Sequence, residues 1–495
     1  MLICCLIVVM EKTEKNYLFE KMPVIQAILK LAIPSVIGQL ILVIYNIADT
    51  FFIGYASNFD YFVSNGLTNA LMSGVTICMP VFMIISAISN LFGIGAGSVI
   101  SRSAGKRNFN RTKDAAGFAV YASLISLTIY CLLSFILLKP IALFLSGGDE
   151  TIAQYAIKYM FITVVLGALP TGMSTLFSHL FRAEGRSFNA SFGIALGGIL
   201  NVLLDPLFMF VLFDIQDAAI AAAMATLVSN IIAMLYFVIY YFAIRHKTFI
   251  NLGFKKTYFL NNVPKEILII GLPACLMTLF ENISYMILDF LIASNSSDVI
   301  VNQACLAGVG AAKKINMFAH SIARGMSQGV LPLIGYNKSS GQRIRMRKIV
   351  YTSTLITTSL AIVCCLINIF VATPLSSLFL HDELALQMAS KYLIIFSIGA
   401  PFSAFSYCAI SFFQAVGKAW RSLILALLRK GICDIPLMLI MAYVVNMSNG
   451  IGIIMATPIA DGICCIVSTA LFSHYLYNHG RVDKVRKEHF YEQAN

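Results

Sequence analysis

Long apolar runs dominate this chain and decide what it can become. Hydropathy delimits twelve, at roughly 26–54, 63–94, 115–138, 152–180, 188–213, 218–244, 266–294, 300–334, 349–371, 386–414, 421–446 and 450–477. A helix crosses the hydrocarbon core of a bilayer in about 20 residues. Lipid offers no partner to an exposed N–H or C=O, so each run is predicted to be helical. Composition agrees, since 59% of the 495 residues are hydrophobic and 12% charged, against about 25% charged in soluble domains. The expected fold class is an all-α membrane protein with twelve transmembrane helices and almost no room for a soluble domain.

The connecting loops sort by charge. Arg102, Lys106, Arg107, Arg111 and Lys113 follow the second run, and Arg182 and Arg186 the fourth. Lys247, Lys255, Lys256 and Lys265 follow the sixth, Arg343 to Lys348 the eighth, and Lys418 and Arg421 the tenth. The alternate loops carry Asp60, Asp149 and Glu150, Asp214 and Asp217, Asp298, or Asp382 and Glu383. Basic loops face the cytoplasm, so the chain is expected to be a multi-pass protein of the cell inner (plasma) membrane with both termini cytoplasmic. The net charge of +12 belongs to these loops and implies no nucleic-acid partner. The cysteines sit almost entirely inside apolar runs, without CxxC or zinc spacing, and read as packing residues. Residues 1–9, MLICCLIVV, are too short to span, and Met10 is expected to be the true initiator.

The two halves resemble one another. Arg182-Ala-Glu-Gly185 recurs as Gln414-Ala-Val-Gly417, Asp205-Pro206 as Asp434-Ile-Pro436, and Pro34 as Pro273. Ser101 to Gly105 after the second run parallels Leu333 to Asn337 after the eighth. Six spans return the chain to the same side, so the repeats are parallel. The expected organisation is a cytoplasmic segment 1–25, an N-lobe 26–244, a linker 245–265, a C-lobe 266–477 and a cytoplasmic tail 478–495. Two lobes around a midline cavity form a transporter plan.

Polar residues inside these spans mark the candidate site. Asp49 lies within PSVIGQLILVIYNIADTFFIG, Pro34 to Gly54, with Tyr45 one turn earlier on its face and Asn46 close by. A carboxylate there costs about 2.5–3.5 kcal/mol on insertion scales, so it should face a cavity, a partner or an ion. In NVLLDPLF, Asn201 and Asp205 share a face, and Pro206 releases a carbonyl one turn earlier. Thr226 and Ser229 lie on a small-residue face of the sixth span. Asp49, Asn201, Asp205, the Thr226 hydroxyl and freed carbonyls make an all-oxygen set suited to Na⁺ or a shared proton. Two such carboxylates cannot both stay ionised without a counter-charge. The competing reading is a hydrogen-bond network between packed helices.

The spacing of Pro34, Tyr45 and Asp49 to Gly54 resembles the multidrug and toxic compound extrusion (MATE) family. So do SRSAG at 101–105, FRAEG at 181–185, NVLLDPLF at 201–208, GLPA at 271–274 and PLIGYN at 332–337. AAAMAT at 221–226 is similar to the family's GAAxAT, with Ala221 in place of glycine. The resemblance covers all twelve spans and is strongest to the bacterial drug-efflux branch. It implies V-shaped six-helix lobes and Na⁺- or H⁺-coupled antiport of amphiphilic, often cationic, compounds, with no cofactor beyond the coupling ion. It also implies cation ligands at Asp49, Asn201, Asp205, Thr226 and the Ala222 carbonyl, the four side chains being metal ligands if the ion is sodium.

In the other half, Glu281 matches a functional glutamate of one family branch, but Pro401 to Ser406 lacks that branch's second carboxylate. Glu281 is expected to attract a cationic substrate or to pair with Lys313 or Lys314. Lys313, Lys314, His320 and Arg324 are unusual inside a span, and Arg429 and Asp434 point to further pairing. Tyr45, Asn46, Met173, Phe177, Phe280, Glu281, Lys313 and Met317 are the candidate substrate-lining residues, within Met- and Phe-rich walls that adapt to varied ligands. Expected partners are small amphiphilic molecules and membrane lipids, with the chain a monomer. The alternative is a lipid-linked oligosaccharide flippase, which the basic residues of the eighth span keep open. An intramembrane aspartyl protease lacks its GxGD context here, and no Walker loop points to ATP.

Overall fold

The computed structural model describes residues 17–260, 262–294, 298–380, 382–445 and 447–494. The expectations for residues 1–9 and Met10 lie outside them. Helices cover each apolar run. The N-lobe contains α1 (Val24–Ser57), α2 (Met79–Gly105), α3 (Phe109–Ile136), α4, α5 and α6 (Ala218–Ile244). α4 joins Glu150–Met160 to Ala168–Ala183 through the wider turn Phe161–Leu166, with a 48° bend. α5 is Ser187–Leu207, continued by the wide turn Phe208–Leu212 that follows Pro206. The C-lobe contains α7 (Val263–Ala293), α8 (Val299–Ser339), α9 (Arg343–Phe370), α10 (Glu383–Ala415), α11 and α12 (Ile451–Ala494). α11 is broken into Ala419–Leu427, Leu428–Ile432, Asp434–Ile440 and Met441–Val445.

Among the described residues, nine helices are long and apolar enough to cross a membrane, or ten with α4 counted as one bent span. The other two runs are α8 and α11. α8 carries Lys313, Lys314, His320 and Arg324 but packs against α1, α2, α9 and α10, so its polar groups face protein. α11 is divided by turns around its buried charges Arg429, Lys430 and Asp434.

The acidic loop residues have a second role. Asp149, Asp298 and Asp382 accept hydrogen bonds from the first backbone N–H groups of α4, α8 and α10. Their charge therefore caps helices as well as marking one side of the membrane.

Two predicted boundaries are corrected. α2 continues through Ser101–Gly105 and α8 through Leu333–Asn337, so both duplicated motifs are helical rather than loops. Small polar residues read as loop by hydropathy, but here a facing helix replaces the water. The two motifs pack on each other, Gly105 against Tyr336 and Gly335 against Ser101. Ser98 donates to the Gln414 carbonyl at 2.5 Å, in the C-lobe counterpart of the 182–185 motif.

These contacts belong to a seam in the half of the spans next to the basic loops. Gly325 of α8 lies on Val36 of α1, where an added Cβ would come within 2.6 Å of Val36 Cα. A Cβ on Gly271 of α7 would overlap the Leu91 carbonyl of α2. Asn90 donates to Thr278 at 3.0 Å, and Arg182 reaches Ser35 at 3.1 Å and Gln328 at 3.3 Å. Glu266 of α7 pairs with Arg102 at 2.8 Å and with Arg111. The chain before α1 closes the seam from below: Tyr336 donates to Glu20 at 2.7 Å, and Asn337 and Arg345 donate to the Phe19 carbonyl. The linker is held by Glu184, which accepts from the Thr248 hydroxyl and the Phe249 N–H. Towards the acidic-loop side, α1 exposes Ile44, Phe51 and Tyr55, and α7 exposes Ile283, Met286 and Phe290.

Candidate functional site

In the N-lobe, α5 and α6 bring three members of the predicted oxygen set, Asn201, Asp205 and Thr226, into hydrogen-bond contact. The Asn201 amide donates to Asp205 Oδ1 at 3.3 Å and to Thr226 Oγ1 at 3.2 Å. Asn201, Asp205, Ala222 and Thr226 are buried. Asp49 sits on α1, which packs along α5 and also meets α6. Among the described residues, three buried oxygens of this set have no hydrogen-bond donor: Asp49 Oδ1, Asn201 Oδ1 and Asp205 Oδ2. Unpaired buried acceptors are rare because each forfeits its hydration. Three in one cluster match the needs of a hard cation or a proton, and the donor set fits either. Ser229 does not join them, since its hydroxyl donates to the Thr226 carbonyl at 2.9 Å.

Tyr45 of α1 packs on Gly198 of α5, one turn before Asn201, and Tyr159 of α4 is buried in one cluster with Ala222 of α6. Tyr159 escaped the sequence reading because it lies in an ordinary apolar run beside the α4 bend. Asn46 turns its amide to the Leu42 carbonyl of its own helix at 2.6 Å. Met173 and Phe177 are buried inside the N-lobe core, where Phe177 stacks with Phe181 and Phe237. The structure does not bring these two to the cleft.

The C-lobe is built on different chemistry. Glu281 of α7 accepts from Arg324 at 2.9 Å and from the Tyr407 hydroxyl at 3.2 Å. This corrects the expected pairing with Lys313 or Lys314. Lys313 instead meets Asp289 at 2.5 Å, two turns along α7 from Glu281. Arg429 and Asp434, expected to take part in pairing inside the span, each do so with a separate partner. Arg429 reaches Asp461 of α12 at 2.9 Å and Ser403 at 2.8 Å. Asp434 takes Lys430 at 2.9 Å, the Ser284 hydroxyl at 2.6 Å and Thr457 at 3.0 Å. Lys430 and Asp434 are one turn apart and face each other, whereas Arg429 is rotated towards α12. His320 bridges Asn316 and Ser403, and the Arg429 guanidinium lies 4.3 Å over the Tyr407 ring. Lys430 escaped the sequence reading, although a charge inside a span was the available signal. Phe280 packs on Gly431 beside this network, and Met317 is half-buried on α8.

The lobes are therefore electrically unlike. Glu281, Asp434 and Asp461 are each paired with a cation of their own lobe. Asp49 and Asp205 are not hydrogen-bonded to any cation among the described residues. The C-lobe network neutralises itself, whereas no ion pair joins the N-lobe carboxylates to a cation among the described residues. Ten cysteines among the described residues are free thiols.

Comparison with known proteins places this architecture. Multidrug export protein MepA of Staphylococcus aureus (strain MRSA252) is 28% identical over 460 residues, covering 92% of this chain and 95% of the relative. The protein of the same name from Staphylococcus saprophyticus is 27% identical, covering 96% and 98%. A solved outward-facing multidrug resistance MATE family transporter of the MOP superfamily superposes with TM-score 0.79 at 21% identity, covering 93% of this chain and 96% of that one. The MatE family model matches residues 34–207 and again 273–440, once in each lobe. With most of both lobes matched by that model, the chain belongs to the MatE family of multidrug and toxic compound extrusion transporters.

Proposed function

We propose that the protein is a secondary multidrug exporter that drives amphiphilic, often cationic, compounds out of the cell by antiport with Na⁺ or H⁺. The observation that carries this reading is the N-lobe cluster of buried oxygens without donors, Asp49 Oδ1, Asn201 Oδ1 and Asp205 Oδ2. The coupling cation is held there by Asp49, Asn201, Asp205, Thr226 and the Ala222 carbonyl. It cancels the repulsion between the two carboxylates, so α1, α5 and α6 close together only when it is bound. A ligand shifts a conformational equilibrium only by its differential affinity for the two states, and this closure supplies the difference.

The substrate site lies in the cleft between the lobes. Tyr45, Asn46, Phe280, Glu281, Lys313 and Met317 are its candidate contacts. The basic-loop side is cytoplasmic, as are both termini, in the plasma membrane. With the seam closed on that side, this arrangement opens outward. One chain holds both lobes and the whole oxygen set, so a monomer suffices. The basic residues that kept an oligosaccharide flippase open are largely answered by carboxylates within the C-lobe, which argues against that alternative. Purified protein in liposomes, with ΔpH and a Na⁺ gradient imposed separately and a fluorescent cation as reporter, tests the reading. Uptake or release that follows one gradient is expected. Movement indifferent to both would overturn antiport.

A further inference from the structure

We propose that His179, buried in the seam, is a proton-binding site of the basic-loop side. Neutral, it holds the two side chains that join the lobes there, and a proton on its Nδ1 releases one of them and opens the seam. The inference goes beyond antiport, since it requires only that the seam opens and closes.

The protonation state of the ring follows from its neighbours. Thr278 of α7 donates its hydroxyl to the Ala274 carbonyl at 3.0 Å, so towards Asn90 its oxygen can only accept. Asn90 of α2 therefore turns its amide nitrogen to Thr278 at 3.0 Å and its oxygen to His179 Nε2, also at 3.0 Å. An amide oxygen only accepts, so Nε2 carries a hydrogen. On the other side of the ring, Arg182 Nη1 lies 3.4 Å from His179 Nδ1. A guanidinium only donates, so Nδ1 is a bare lone pair. Two independent neighbours thus specify the same neutral tautomer.

The ring ties both cross-lobe contacts together. Asn90 ends on Thr278 of α7. Arg182, one turn after His179 on α4, donates to Gln328 of α8 at 3.3 Å and to the Ser35 hydroxyl of α1 at 3.1 Å. The imidazole occupies the space that the missing side chain of Gly93 leaves on α2, where an added Cβ would lie 2.6 Å from His179 Cδ2. α4 packs against α2, α3, α5, α6 and α8. Among the described residues, Arg182 is the charged group in hydrogen-bond contact with His179, and Asn90 is its other side-chain partner. No carboxylate pairs with either His179 or Arg182 among them. A proton on Nδ1 would set N–H against N–H and positive against positive, with no carboxylate to compensate. Arg182 must then leave, and its bonds to Gln328 and Ser35 go with it. Asn90 keeps its donor, because Nε2–H is unchanged. Opening admits water between the two charges, so proton binding and the open seam favour one another.

Spin labels on α2 and α7 of the full chain in proteoliposomes measure the open share of the seam. Between about pH 8 and about pH 5, where an ordinary histidine titrates, the ratio of open to closed should rise about fivefold or more, the size of a typical coupling. His179→Gln keeps a donor for Asn90 and cannot titrate, so the rise should vanish and the seam stay as closed as in the wild type at high pH. His179→Asn, which keeps an acceptor for Arg182, serves if the Gln variant does not fold. Asp49→Asn/Asp205→Asn should retain the rise, which separates this site from the N-lobe carboxylates. A rise that persists undiminished in a folded His179→Gln or His179→Asn variant overturns the proposal, as does its absence from the wild type or its loss in Asp49→Asn/Asp205→Asn. Failure of antiport is read in the gradient assay instead, so the two are separable.

Discussion

Asp205 has unlike surroundings at its two oxygens. One oxygen takes the Asn201 amide at 3.3 Å and the other takes nothing. Asp205→Asn should remove the dependence of transport on an imposed cation gradient while leaving expression intact, measured by the proteoliposome assay. A variant that still follows the gradient as the wild type does would place the coupling elsewhere. Glu281 behaves differently, because its charge is already answered by Arg324 and Tyr407. Glu281→Gln leaves the Arg324 guanidinium without its carboxylate, at a cost of about 1–3 kcal/mol. The expected result is a lowered Tm, partly recovered in Glu281→Gln/Arg324→Met. A Tm equal to that of the wild type would make this pair dispensable.

At the scale of helices, the breaks in α4, α5 and α11 lie beside the polar groups. Pro206 interrupts α5 directly after Asp205, and its ring denies the Val202 carbonyl a partner. Pro206→Ala restores that hydrogen bond and should stiffen α5, by up to about 3 kcal/mol on helix scales. The variant should melt higher but load its cation more weakly, read as a Tm rise together with a larger half-saturating concentration. Improved loading would show that the released carbonyl has no part in the site. The α7–α2 crossing depends on Gly271, whose missing side chain lets Leu91 approach. Gly271→Val should separate these helices and reduce folded protein in the membrane, measured by the monodisperse fraction on gel filtration.

For the whole molecule, the question is what holds the basic-loop side shut. The seam combines close backbone contact, the Asn90–Thr278 hydrogen bond and the pairing of Glu266 with Arg102 and Arg111. Partly exposed pairs contribute about 1 kcal/mol or less each, so no single one is a lock. Arg102→Glu should therefore shift the balance between open states only severalfold, and Arg102→Glu/Glu266→Arg should restore it, read by spin-label distances between α2 and α7. A disulfide between Asn90→Cys and Thr278→Cys, with native cysteines replaced, should stop transport until it is reduced. Transport continuing through the cross-link would mean that the seam need not open.

The sequence by itself determined the membrane class, the number and order of spans, the duplication and the shared face of Asn201 and Asp205. Each of these follows from local rules: apolar length, loop charge, or residues one turn apart on one helix, as with Asn201 and Asp205. Only the tertiary structure decided which charge meets which across helices. Arg429 could have taken Asp434 but takes Asp461, and Glu281 takes Arg324 rather than a lysine nearer the middle of the span. It also decided that Met173 and Phe177 lie in a core and that SRSAG and PLIGYN form a seam rather than loops. Helical periodicity specifies the face of a residue on its own helix. The rotation and depth of one helix against another come from packing, and small residues such as Gly271 and Gly325 set those depths without leaving any trace in hydropathy.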